Sequence, residues 1–234
     1  MGGTVAGLVV IALIAGATAL RTRKRIARLE ALIRKGRDIA LGGMSFTPVD
    51  ARWQPFLDGL DVPSGMQALG DFVEVPEGRE PSGALRGFSD PTGTIYGWMA
   101  RIGATKAMVM VLVTATDTDI YLTRLTPAAG GLLSAPPWAH REVVAYQRGV
   151  EGALERHRAR VAAVTGAMRV TTVAELQAEL ARVRGMTIAW RQSQPPAALL
   201  DADLRSMLGR HYDTLGARLA KRLAVEMPQA RVVS

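Results

Sequence analysis

The residues with the most chemistry to offer in this chain are three histidines and two Asp-x-Asp pairs. Histidine changes charge near neutral pH and ligates metals, so His140, His157 and His211 are the natural candidates for acid–base or metal work. Their spacing argues against a shared role. Read as one helix over residues 139–164, the segment puts His140 and His157 on one face. They are 17 positions apart in sequence, roughly 25 Å along a helix axis, too far for one metal ion. His157 falls between Leu154 and Val161 on an apolar stripe, and His211 between Leu208 and Leu215. Histidines at such places are more often core or boundary residues with satisfied hydrogen bonds. No H-E-x-x-H pair occurs.

Asp117/Asp119 and Asp201/Asp203 have the spacing to hold a divalent cation. The first pair sits in an expected hairpin turn and the second at an expected helix start, and turn and cap roles account for both. Gly83-Ala84-Leu85-Arg86-Gly87 lacks dinucleotide-binding spacing, and Gly103-Ala104-Thr105-Lys106 lacks the first glycine of a P-loop. There is no G-x-S-x-G elbow. Tyr96, Trp98, Tyr121 and Trp138 could line a ligand groove, but aromatic residues on strands usually serve the core. Cysteine is absent, which removes disulfides, thiolate chemistry, Cys-ligated zinc and iron–sulfur clusters. The inventory points to no cofactor and no metal, and weighs against an enzyme.

Charge placement is more informative than charge total. The chain carries a net charge of +8, but residues 21–37 alone hold eight basic side chains against one acid, Glu30. The rest of the chain is close to neutral, so the basic balance does not mark a nucleic-acid partner. This block follows residues 4–20, which contain no charged side chain. Seventeen helical residues span roughly 25 Å, the short end of a membrane crossing. A signal peptide puts its positive charge before the apolar run, whereas here the charge follows it, which predicts an uncleaved anchor. By the positive-inside rule the N-terminus faces outward and the bulk of the chain is cytoplasmic, at a bacterial inner membrane. Gly3-xxx-Gly7 and Ala12-xxx-Gly16 let another helix approach closely. Residues 21–43 read as a basic amphipathic helix with Ile26, Leu29 and Ile33 on its apolar side. Its Arg21, Arg23, Lys24, Arg25, Arg28, Arg34 and Lys35 are expected to meet anionic lipid headgroups.

The elements beyond it predict an α+β class. Residues 44–69, rich in proline, glycine and aspartate, read as an irregular connection with a short helix near residues 53–60. Strands are expected at 72–75, 85–88, 94–101, 106–114 and 120–125, with Asp90-Pro91-Thr92-Gly93 as a hairpin turn. Short links make these neighbours antiparallel, and 106–114 is apolar enough to be covered on both faces. Helices are expected at 139–164, from Thr172 (a capping box with Glu175), and after Pro195-Pro196; residues 186–190 alternate like a further strand. The expected whole is an anchor (1–20), a juxtamembrane helix (21–43), a connection (44–69) and a soluble domain (70–234). In that domain an antiparallel sheet carries three C-terminal helices on one face. The corresponding functional expectation is a non-catalytic accessory or scaffolding subunit of a larger inner-membrane complex, such as a respiratory or photosynthetic one. Other membrane-protein subunits would be its partners. A membrane-tethered enzyme or a ligand-sensing module are the alternatives.

Overall fold

The structure is a computed structural model and describes residues 26, 27, 30, 31, 33, 34, 37, 42–81, 83–102, 107–127 and 133–225. Residues 4–20, the expected anchor, lie outside these. No helix among the described residues is long and apolar enough to cross a membrane. The chain forms two compact units. The larger comprises residues 40–130 and 135–193, and the smaller residues 1–39, 131–134 and 194–234.

Seven strands form the sheet of the larger unit, in chain order: β1 (Met44–Thr47), β2 (Gln67–Pro76), β3 (Ala84–Ser89), β4 (Tyr96–Ile102), β5 (Ala107–Ala115), β6 (Ile120–Thr126) and β7 (Ala139–Ala145). The first six are antiparallel neighbours, joined by short turns wherever β2 to β6 follow one another. At the β3–β4 turn Asp90 accepts the Ile95 amide through Oδ1 at 3.0 Å, and Gly93 adopts φ +76°. That conformation costs glycine no Cβ strain. β7 departs from the expectation of an antiparallel sheet: it runs parallel to β6, with Ile120 beside Ala139 and Tyr121 beside His140. The link between them is about a dozen residues long, the length a parallel crossover requires.

Each face of the sheet has its own core. One holds Phe88, Met99, Met110, Leu112 and Leu125, covered by Leu57, Leu60 and Met66 from the connection and by Ala153 and Leu154 of a helix. The single-turn helix α1 (Gln54–Leu57) supplies Leu57, and α2 (Gly149–Val161) supplies the latter pair. The other core holds Phe72, Leu85, Tyr96, Val113 and Ile120 under Leu176, Leu180 and Val183 of α3 (Val173–Ser193). β5 therefore buries residues on both faces, as its unbroken apolar run predicts. The helices lie on both faces, not one, because β5 and its neighbours leave two apolar surfaces to cover.

Several local expectations are corrected by long-range pairing. Residues 139–145 are strand; a 3-10 turn follows over Tyr146–Arg148, and the α-helix begins only at Gly149, which takes φ +68°. Residues 186–190 continue α3. No proline interrupts the helix before Ser193, and Thr187 Oγ1 donates to Val183 O within it at 2.8 Å. The segment 44–69 is less irregular than its composition suggests, since β1 pairs with β2 from Met44 onward. The capping box is present: the Glu175 amide donates to Thr172 Oγ1, and the Thr172 amide to Glu175 Oε2.

Two glycines set the spacing of this unit. A Cβ on Gly97 would lie 2.0 Å from Val111 O, and one on Gly87 would lie 2.5 Å from Leu176 Cδ2. The first obstacle is backbone of the paired strand and cannot swing aside. Gly97→Ala is expected to destabilise the unit by roughly 2–3 kcal/mol, read as a lowered denaturant midpoint, with a smaller loss for Gly87→Ala.

The smaller unit joins the two ends of the chain. Ile26 and Ile33 from the N-terminal helical residues pack with Leu200, Leu204 and Leu208 of α4 (Pro196–Leu208) and with Leu219 and Leu223 of α5 (Tyr212–Val225). The single long helix expected after Pro195 is broken at Gly209, which takes φ +50°. These helices belong with the N-terminal residues and not, as expected, with the sheet.

Candidate functional site

The sheet brings together residues that sequence spacing keeps apart. The β5–β6 turn is built on Thr116, whose hydroxyl accepts the Thr118 and Asp119 amides at 3.3 and 3.0 Å. Asp119 then presents its carboxylate at the start of β6. Because β7 lies parallel to β6 with His140 beside Tyr121, the imidazole stacks on the Tyr121 ring at 4.8 Å between centroids. His140 Nε2 lies 2.8 Å from Asp119 Oδ1, and Thr118 Oγ1 donates to Asp119 Oδ2 at 2.7 Å. The hydrogen bond from His140, and next that from Thr118, hold the Asp119 carboxyl below its usual range.

Arg160 of α2 fixes the strand pair that carries this dyad. Its Nη1 donates to Leu122 O and Thr123 Oγ1, its Nη2 to His140 O, and its Nε pairs with Glu142 at 3.2 Å. Beside it opens a surface cavity of about 560 Å³ lined by Asp117, Asp119, Tyr121, Arg160 and Thr165 among others. The dyad can act as an oriented imidazole, with Asp119 fixing one ring nitrogen and leaving the other to exchange a proton. Thr118 is not a ready nucleophile, since its hydroxyl is spent on Asp119. If His140 is what lowers Asp119, His140→Gln should raise the Asp119 pKa, followed by carboxyl-carbon NMR titration; no change would assign the effect to the turn.

The other candidates fall into structural roles. His157 is fully buried, with Nδ1 2.8 Å from Thr123 Oγ1 and Nε2 3.1 Å from Thr114 Oγ1, so it ties α2 to two strands. His211 is exposed in the turn between α4 and α5. Asp201 is half-buried, pairing with Arg205 at 2.7 Å and accepting the Tyr212 hydroxyl, whereas Asp203 is fully buried. The two carboxylates therefore do not form a site. Among the described residues no group of three histidine or acidic side chains could hold a metal. Tyr96 is buried and donates to Glu179 Oε1 of α3 at 3.1 Å, while Arg182 holds the same carboxylate at 2.6 and 2.7 Å. Burial first, and the Glu179 charge second, push the Tyr96 hydroxyl pKa far up. Trp98 and Trp138 lie against the α3-side core, which leaves Tyr121 as the aromatic residue at the cavity.

The residues expected to meet membrane mostly lie outside the described ones: Gly3, Gly7, Ala12, Gly16, Arg21, Arg23, Lys24, Arg25, Arg28 and Lys35. Arg34 is described and pairs with Glu30 at 2.9 Å. The apolar side of its helix is not turned to lipid at Ile33, which is fully buried against α4 and α5. Comparison with protein families, with curated proteins and with solved structures finds no match for this chain.

Proposed function

We propose that this chain is a membrane-anchored accessory or scaffolding subunit of a larger inner-membrane complex, with its sheet unit on the cytoplasmic side. The observation that supports this reading is the way the segment behind the apolar run is used. Ile26 and Ile33 are built into a folded unit with α4 and α5, and Arg37 is held by Asp203. Glu30 and Asp203 draw Arg34 and Arg37 into protein contacts. Arg21, Arg23, Lys24, Arg25, Arg28 and Lys35 are then the side chains for anionic headgroups, each worth about 1 kcal/mol near a charged leaflet.

The test is purification of the full chain from its native membrane in mild detergent. A different membrane polypeptide should copurify in fixed ratio; recovery of the chain with no other polypeptide would overturn the accessory reading. One observation favours a second reading in that event. The Asp119–His140 dyad beside a cavity suits a tethered enzyme in which His140 moves a proton.

A further inference from the structure

The two sides of α5 differ sharply in charge. Leu215, Leu219 and Leu223 turn inward and share a core with Ile26 and Ile33. The other side exposes Ala217, Arg218, Lys221 and Arg222. Positions 218, 221 and 222 recur at three-to-four spacing, so three cations stand in one stripe. Arg222 meets Glu30 at 3.5 Å, with its own side chain 56 % exposed. Arg218 and Lys221 have no hydrogen-bond or ion-pair partner among the described residues. Between Asp213 and Glu226 every charged residue is basic. Helix electrostatics do not account for this. Like charges four apart, as Arg218 and Arg222 are, destabilise a helix. The helix dipole favours cations in the last turn, whereas Arg218 lies about two turns before Val225.

What the stripe meets follows from where its unit is tied. Ile26 comes six residues after Leu20, the last residue of the uncharged run. Six residues span at most about 21 Å in any conformation, so the core that α5 shares with Ile26 stays near the end of that run. We propose that Arg218, Lys221 and Arg222 of α5 bind anionic phospholipid headgroups, so that the chain meets the leaflet with segments from both of its ends. This rests on the anchoring reading above and extends its lipid contacts from residues 21–35 to the last helix. The chemistry of the stripe suits that partner. A negative leaflet attracts cations within about a Debye length and asks for no shaped pocket; the stripe offers charge on flexible side chains. Glu30, which a leaflet would repel, is withdrawn: its side chain is 13 % exposed and is held by Arg34 and Arg222. None of the stripe residues is aromatic, as stacking on nucleic-acid bases would require.

The absence of native cysteine gives a direct readout. Ala217 is exposed beside Arg218, so full-length Ala217→Cys in lipid nanodiscs can be timed in its reaction with an uncharged polyethylene-glycol maleimide. On discs containing phosphatidylglycerol it should react roughly fivefold or more slowly than on discs of phosphatidylcholine alone. Adding Arg218→Glu and Lys221→Glu should abolish the difference, and Arg218→Gln with Lys221→Gln, which introduces no acid, should weaken it. Arg222 is left in place because it holds Glu30. Equal rates on the two kinds of disc overturn the proposal and leave the anchor standing. Protection that survives both pairs of substitutions also overturns it, by assigning the effect to residues 21–35. Equal protection by RNA on neutral discs overturns it in favour of a nucleic-acid surface. A chain that enters neither disc overturns the anchoring reading and this proposal together.

Discussion

Asp203→Ala should lower the stability of the smaller unit by about 3–5 kcal/mol, the usual result of removing one partner from a buried ion pair. Asp203 is fully buried on α4. Its Oδ1 accepts the Ser134 amide at 3.0 Å and the Ser134 hydroxyl at 2.5 Å, and its Oδ2 faces Arg37 Nε at 3.5 Å. Three stretches distant in sequence meet on one carboxylate: the N-terminal helical residues, the crossover before β7, and α4. Truncation leaves the Arg37 cation, only 11 % exposed at its side chain, without that counter-charge. Hydrogen exchange on the full chain is the suitable measurement, because it reads each unit separately. Amides of α4 and α5 should lose protection while those of β4 and β5 keep it. Unchanged protection in α4 would show that the carboxylate contributes little.

The second large effect is a pH dependence centred on His157. Burial, and after it the nearby charge of Arg160, lowers its pKa from 6.5 to about 4. Above pH 6.5 the imidazole is neutral in both folded and unfolded chains and stability is insensitive to it. As pH falls below 6.5 the unfolded chain takes up a proton that the folded chain refuses until about pH 4, so stability declines across that window. The full difference corresponds to about 3 kcal/mol. Glu74, whose carboxyl is pushed up by burial, acts with the opposite sign at the acid end of this range. The comparison with His157→Gln cancels that contribution. The stability difference between native and variant chains, from urea unfolding at pH 4 to 7, should narrow steadily as the pH is lowered. A difference that stays constant would mean that His157 is charged, or not buried, in solution.

How far the fold is legible in the sequence depends on whether the deciding interaction is local. Residues 106–114 announce β5 because a continuous apolar run bounded by polar residues suits only a strand buried on both faces. Thr172 and Glu175 announce the start of α3 because the capping interaction closes within four residues. Residues 139–145 are different: His140 and Val143 fit helical spacing as readily as strand alternation, and only β6 beside them settles the matter. The candidate site inherits that ambiguity. Asp117 and Asp119 are correctly read as turn residues, yet nothing near them indicates His140, which reaches Asp119 only through the parallel register of β6 and β7. Ile26 and Ile33 present the same problem at larger scale. A stripe of isoleucines is equally suited to lipid and to helices, and the helices that claim it lie some 170 residues later in the chain.

That separation also constrains how the protein is made. The smaller unit takes its parts from both ends of the chain, with the whole sheet inserted between them. During synthesis the sheet can collapse while the last helices are still on the ribosome, but the leading isoleucines must wait, uncovered, until residues 196–225 emerge. A nascent chain halted before α4 would therefore expose a greasy, cationic stub, the kind of surface that chaperones and insertion machinery bind.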